Sequence, residues 1–189
     1  MQGVGVRKGL RRRTVPLHRG AMPASPETLF ARLDALGIPH KTHAHPPVFT
    51  VAEAIALRGV LPGGHTKNLF LKDKKGALWL AVMLEERRTD LKLLADALGA
   101  PRFSFGSGEL LQEVLGVRPG SVTPFALIND TAQRVTVVLD EGMLAHDPLN
   151  YHPLENDRTT AIAPSDLLRF VESCGHEPRI LDLARFDRV

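Results

Sequence analysis

The sequence predicts an α+β fold: a mixed sheet surrounded by helices, built as one domain. Three observations predict it. Short apolar segments such as 66–73, 77–84 and 134–139 interleave with segments of helical spacing such as 26–36 and 107–115. Some neighbouring strand segments are joined by a hairpin signature, Asp73-Lys74-Lys75-Gly76, whereas others are separated by a helix, so hairpins and crossovers coexist. At 189 residues and 43% hydrophobic content, the chain can bury one good core and is short for two.

The elements follow in order. Ser25-Pro26-Glu27 opens a helix with a hydroxyl cap, a proline at the first helical position and an acid in the first turn. Leu29, Phe30, Leu33 and Leu36 form its apolar stripe, and Gly37 stops it. Residues 38–45 read as a short extended segment closed by Pro46-Pro47. Thr50 with Glu53 makes a capping box for a helix ending at Gly59. The hairpin pairs 69–71 with 77–84. Thr89 is the expected cap of a helix through Leu98, with Gly99 as its stop. Residues 102–105 read as a strand, and Ser107 opens a helix through Leu115. Segments 122–128 and 134–139 read as two strands joined by Asn129-Asp130, and 159–162 as another. Ser165-Asp166 starts the last helix, Gly175 ends it, and 179–183 completes the body.

Charge is unevenly distributed. Net charge is +3, yet Arg7, Lys8, Arg11, Arg12, Arg13 and Arg19 lie in the first twenty residues with no acid among them. The remaining body carries 18 of the 24 cations against 21 acids, which argues against a globally basic nucleic-acid binder. Residues 1–21 lack periodicity and are expected to be a disordered basic extension, with Met22 as a candidate start and 22–189 as the folded domain. The single Cys174, on an apolar helix, excludes a disulfide framework and a cysteine-rich zinc site. No apolar run reaches the roughly 18 residues of a membrane span. The expectation is a soluble, cytoplasmic protein.

The sequence also lacks Gly-x-Ser-x-Gly, Gly-x-Gly-x-x-Gly and His-Glu-x-x-His. His40, His43 and His45 invite a metal reading, but strand alternation puts His40 opposite the other two and no further ligand completes a tetrahedral set. Neither a metal nor a cofactor is expected. Three segments remain as carriers of chemistry. Lys67-Asn68, inside the run 66–73, places a cation and an amide on a rigid strand, suited to an anionic or carbonyl-bearing ligand. The loop 116–125 sets two glycines around Pro119, so its backbone N–H groups can approach a ligand closely. Residues 150–156 combine Tyr151, His152 and two amides in an extended stretch after a loop.

Together with His45-Pro46-Pro47-Val48-Phe49-Thr50-Val51-Ala52-Glu53-Ala54, these segments occur in the order and spacing of a known family. The chain resembles free-standing members of the prolyl-tRNA synthetase editing-domain superfamily, the YbaK-like or ProX deacylases, over roughly residues 25–183. The resemblance implies a mixed α/β editing-domain fold and hydrolysis of the aminoacyl ester of mischarged tRNA. It implies Lys67 as the catalytic cation holding the ribose–phosphate end, and Asn68 as the residue positioning the substrate. The amides of Gly120, Ser121, Val122 and Thr123 would bind the aminoacyl group or polarise its carbonyl. His152 would line the pocket, with Phe49 and Met83 as apolar wall candidates. Water is the nucleophile, aided by a ribose hydroxyl of the tRNA itself. The implied partners are the acceptor end of a mischarged tRNA and prolyl-tRNA synthetase.

Lys-Asn-Leu-Phe-Leu-Lys-Asp resembles the alanine-editing subgroup, so alanyl-tRNA(Pro) is the expected substrate, with cysteinyl, seryl and threonyl esters as alternatives. A non-catalytic RNA- or synthetase-binding module and a different small-ester hydrolase are the competing readings.

Overall fold

A computed structural model of the chain describes residues 22–46 and 61–188. The expected basic extension 1–21, the helix expected at 50–59 and Phe49 lie outside the described residues.

Four α-helices are described: α1 (Pro26–Ala35), α2 (Leu91–Leu98), α3 (Gly108–Leu115) and α4 (Pro164–Ser173). The strands are β1 (His40–Ala44), β2 (Gly64–Asp73), β3 (Leu78–Leu84), β4 (Phe103–Phe105), β5 (Val135–Asp140), β6 (Leu149–Tyr151), β7 (Arg158–Ile162) and β8 (Arg179–Leu181). They form one mixed sheet in the order β1-β7-β6-β2-β3-β5-β8, with β4 also paired to β2. The expected α+β class is what the chain adopts.

Local chemistry explains most boundaries. Ser25 Oγ accepts from Thr28 N and Ser107 Oγ from Leu110 N, as hydroxyl caps do. Gly99 and Gly116 close α2 and α3 in the left-handed conformation. Asp90, rather than Thr89, caps α2: its carboxylate accepts from Lys92 N and Leu93 N, and an ionised acceptor outcompetes a hydroxyl there. The last helix begins at Pro164, one residue before the expected Ser165. The expected strand at 122–128 is instead a 3-10 helix, Pro124–Asn129. Thr123 Oγ1 accepts from Phe125 N, and the following proline has no N–H to give a ladder, so capping overrides the apolar pattern. The three-residue β6 falls at the start of the stretch expected to be extended.

The two sheet faces carry separate cores. On one, Phe70, Leu80, Val82 and Val137 pack with α1, α3, α4 and the 3-10 helix. On the other, Leu71, Trp79, Ala81, Met83 and Val138 pack with α2 and Leu183. Buried side chains of this size contribute roughly 1.5–3 kcal/mol each.

β2 positions everything that follows. Its β3 edge is paired from Thr66 to Lys72. On the other edge, β6 reaches only Gly64 and His65, and β4 only Leu71 to Asp73. Between them lies a window with no strand partner among the described residues. The entry into β2 is tight: Gly64 N donates to Pro148 O at 2.8 Å, and Asn150 Nδ2 donates to Pro62 O at 2.9 Å.

Gly63 has φ +100°, and a Cβ there would lie 2.1 Å from Pro148 O; Gly76, in the hairpin, has φ +88° and open space around it. Gly76→Ala should therefore cost only the backbone term, about 1–2 kcal/mol. Gly63→Ala adds a backbone collision and should cost at least about 3 kcal/mol. Urea denaturation of both variants compares them; equal losses would mean the β2 entry yields freely.

Candidate active site

Strand alternation decides where Lys67 and Asn68 go. Successive residues of a strand face opposite sides, so Asn68 shares a face with Phe70 and the larger core, and Lys67 shares a face with Leu69, Leu71 and the smaller core. The two adjacent residues are thus brought together only through the backbone of the window.

On the Asn68 face, Nδ2 donates to Val122 O at 3.0 Å. That bond fixes the amide and leaves Oδ1 buried with no hydrogen-bond partner among the described residues. An unpaired buried acceptor costs about 1–3 kcal/mol, so its retention needs a reason. The loop carrying Val122 is built as a turn: Ser121 N donates to Arg118 O at 3.0 Å, and Gly120 sits at φ +90° and is exposed. Ser121 and Thr123 are buried, Thr123 completely. The turn thus takes up the Ser121 amide, one of the four expected to face a ligand. A Cβ on Gly120 would sit 4.0 Å from Asn156 Nδ2, which places this loop beside the β6–β7 connection.

His152 leaves β6 immediately after the buried Tyr151. Its Nδ1 is 3.2 Å from Arg158 O, and because a carbonyl only accepts, Nδ1 carries the proton. Burial lowers its pKa, the Arg158 bond opposes this, and the nearby His45 lowers it again. His152 is therefore a neutral imidazole at pH 7. His45 is the member of the histidine trio that reaches this region: its ring is 6.4 Å from that of His152, and its Nε2 is 2.9 Å from Thr159 Oγ1. His40 stacks on Phe30 instead, at 5.4 Å. Among the described residues no group of three or more His, Cys, Asp or Glu could hold a metal ion.

On the other face, Lys67 Nζ donates to Arg87 O. Desolvation lowers the lysine pKa, while the carboxylates of Asp187, Glu85 and Glu86 act to raise it. Met83 lies directly across the ladder from Lys67, fully buried, with its Sδ accepting from Thr89 Oγ1 at 3.3 Å. Met83 thus belongs to the smaller core and the Lys67 face, not to the face of Asn68. At the same end of β2 a cavity of about 350 Å³ is lined by Gly63, Gly64, His65, Glu85, Glu86 and His146, among others.

Sequence reasoning missed Arg87, and it gave Asn150 no role beyond being one of the amides of the run 150–156. Asn150 Nδ2 braces the turn before β2, and its carbonyl accepts from Thr66 Oγ1 at 3.0 Å. Its place in the run 150–156 was the available signal. For Arg87 there was none, because its partners are 53 and 100 residues away.

Among the described residues, the Pro119-Gly120 turn and the β6–β7 connection carrying His152 surround the unpaired stretch of β2 that holds Lys67. The model of the aminoacyl-tRNA editing domain matches residues 45–170, more than half of the chain, and the protein belongs to that family. It is 45% identical over 139 residues to the prolyl-tRNA synthetase associated domain-containing protein 1 of Danio rerio, covering 72% of this chain and 76% of the relative. It is 32% identical over 158 residues to the prolyl-tRNA editing protein ProX of Acetoanaerobium sticklandii, covering 83% and 96%. A crystal structure of a candidate trans-editing enzyme for prolyl tRNA synthetase shares the fold at TM-score 0.66 and 21% identity, covering 84% and 95%. The resemblance read from the motifs is borne out at the level of family and fold.

The lowered pKa of His152 has a testable sign. A histidine whose folded pKa is depressed binds fewer protons folded than unfolded. Stability is then fully present above the unfolded value, about 6.5, and is lost as pH falls through the lower folded value, by at most about 1.4 kcal/mol per pH unit for one proton. Thermal melts between pH 7.5 and 5 should show His152→Gln losing less stability than wild type across this window. Parallel curves would exclude a buried neutral His152.

Proposed function

We propose that the protein is a free-standing aminoacyl-tRNA deacylase that hydrolyses the ester of mischarged tRNA(Pro), with alanyl-tRNA(Pro) as its substrate. The observation that carries this reading is Asn68: an amide held by Val122 O, with a buried oxygen that has no partner among the described residues, beside the Gly120–Thr123 turn and the β2 window. Family membership supports an aminoacyl ester as the substrate class. The relatives' names, a prolyl-tRNA editing protein and a synthetase-associated domain, support tRNA(Pro) and prolyl-tRNA synthetase as the partners.

In this mechanism the acceptor end approaches the free edge of β2, from which both faces of the strand are reachable. Lys67 meets the ribose–phosphate end as a cation, and Asn68 positions the aminoacyl group. Of the four amides at Gly120–Thr123, that of Ser121 is spent within the turn; those of Gly120, Val122 and Thr123 are the N–H groups offered to the ester carbonyl, whose oxygen gains negative charge as water adds to its carbon. His152, neutral and fixed by Arg158 O, lines the wall. The bond between the carbonyl carbon and the ribose oxygen then breaks; the oxygen takes a proton and leaves as the tRNA hydroxyl, and the amino acid leaves as its carboxylate. A ribose hydroxyl positions the water.

The selection is steric. A synthetase pocket shaped for proline rejects smaller alanine weakly, since one methylene is worth about 1–3 kcal/mol, and a second, smaller pocket can admit alanine and exclude the proline ring.

The experiment is deacylation of alanylated, serylated, threonylated, cysteinylated and prolylated tRNA(Pro) by wild type and Lys67→Ala. Wild type should cleave the alanyl ester fastest and spare the prolyl ester. Lys67→Ala should lose about 100-fold or more in rate, while losing only about 1 kcal/mol of stability with its one bond to Arg87 O. A prolyl ester cleaved as fast as the alanyl one would sink the sieve; a fully active Lys67→Ala would end the catalytic role of the lysine.

A further inference from the structure

Lys67 is one end of a chain of contacts that runs to the C-terminus. The Arg87 carbonyl receives its ammonium. The Arg87 guanidinium in turn is gripped from two sides: Nε is 3.1 Å from Asp140 Oδ2 and Nη1 is 3.3 Å from Asp187 Oδ2. Asp140, at the end of β5, is completely buried, and its Oδ1 accepts from Gly142 N and Leu183 N, each at 3.3 Å. Asp187 follows the 3-10 helix Leu183–Phe186 and is bridged by backbone to Thr89. Two further bonds join the same strips, Asp90 N to Phe186 O at 2.6 Å and Arg188 N to Arg88 O at 3.0 Å.

We infer that Arg87 is a positioning residue for Lys67, and that the C-terminal segment 183–188 completes the device by holding the Arg87 guanidinium between Asp140 and Asp187. The role of Lys67 itself rests on the function proposed above. A lysine is a compact charge on a flexible four-carbon stem and does not hold one place unaided. A guanidinium fork is planar and can bind two carboxylates at once, fixing the backbone of its own residue. The carbonyl of that residue is the acceptor that sets the height of the Lys67 ammonium along β2. Burial lowers the pKa of the ammonium, and the charges of Asp187, Glu85 and Glu86 oppose that shift. A displacement of about 1 Å in a positioned group can cost up to about 100-fold in rate, so such a tether has a kinetic consequence.

Two variants test it. Arg87→Lys keeps a cation against Asp140 but cannot bridge both carboxylates; Asp187→Asn keeps the buried Arg87–Asp140 pair and weakens the C-terminal grip at a partly exposed site. The first readout is independent of activity: reductive methylation of the folded full chain, with Lys67 quantified by mass spectrometry against the exposed Lys72 and Lys74. Both variants should methylate Lys67 several-fold faster than wild type. The second readout is deacylation kinetics, in which kcat should fall roughly tenfold with KM for the charged tRNA unchanged.

Unchanged Lys67 methylation in either folded variant overturns the clamp. Faster methylation with unchanged kcat overturns its link to the reaction. A wild type inactive on every ester would instead overturn the proposed function, and the methylation arm would still read the clamp. A merely structural Arg87 would lower the melting temperature without selectively exposing Lys67.

Discussion

Everything in this molecule hangs on the uneven pairing of β2. The strand is continuous along β3, yet on its other edge it passes from a parallel contact with β6 to an antiparallel contact with β4. It is therefore the seam between the β1–β7–β6 part of the sheet and the β3–β5–β8 part. A seam of this kind leaves backbone and side-chain polar groups that need other partners. Thr66 finds the carbonyl of Asn150, Asn68 finds that of Val122, and Gly106 N finds that of Phe70. Those substitutes draw the loop at 116–123 and the β6 segment to the same strand, so the site is a by-product of completing the sheet.

The electrostatics at the seam differ on its two faces. Lys67 is accompanied by Asp187, Glu85 and Glu86, so this face is not a trap for a polyanion, and a body with more acids than cations agrees. Such a surface gives little general phosphate attraction. For the deacylase proposed above this is an advantage: affinity confined to the acceptor end, and not spread along the backbone of every tRNA, eases release after one ester is cleaved.

Much of this was legible in the sequence because it is local. Ser25 and Ser107 as caps, Gly99 and Gly116 as stops, and the Asp73–Gly76 hairpin each depend on a few consecutive residues. The misread segment at 122–128 was also local, for Thr123-Pro124 is a cap followed by a first-turn proline, and apolar continuity was given more weight than that signal. Lys67 and Asn68 were read as one unit although strand alternation sends them to opposite faces, which period-two reasoning alone foresees. The Arg87 clamp is a different case. Its charges come from the end of β3, the end of β5 and the C-terminus, and no spacing rule joins residues so far apart.

A sieve that separates alanine from proline needs walls that do not yield, because the two side chains differ by about the size of the displacements that thermal motion gives a loose loop. The walls of the proposed sieve are supported from beneath. Tyr151, immediately before His152, stacks edge-on against Phe125 at 5.7 Å, and Phe125, two residues after Thr123, stacks edge-on against Phe170 of α4 at 5.4 Å. All three rings are buried in the larger core, and the Tyr151 hydroxyl donates to Met143 Sδ at 3.3 Å. Edge-to-face aromatic pairs contribute about 0.5–1.5 kcal/mol beyond the area they bury, and they fix relative orientation as well. One aromatic trio thus ties the histidine wall and the glycine turn to the same helix. The two cannot move apart without opening the core, and that rigidity is what the proposed discrimination by size demands.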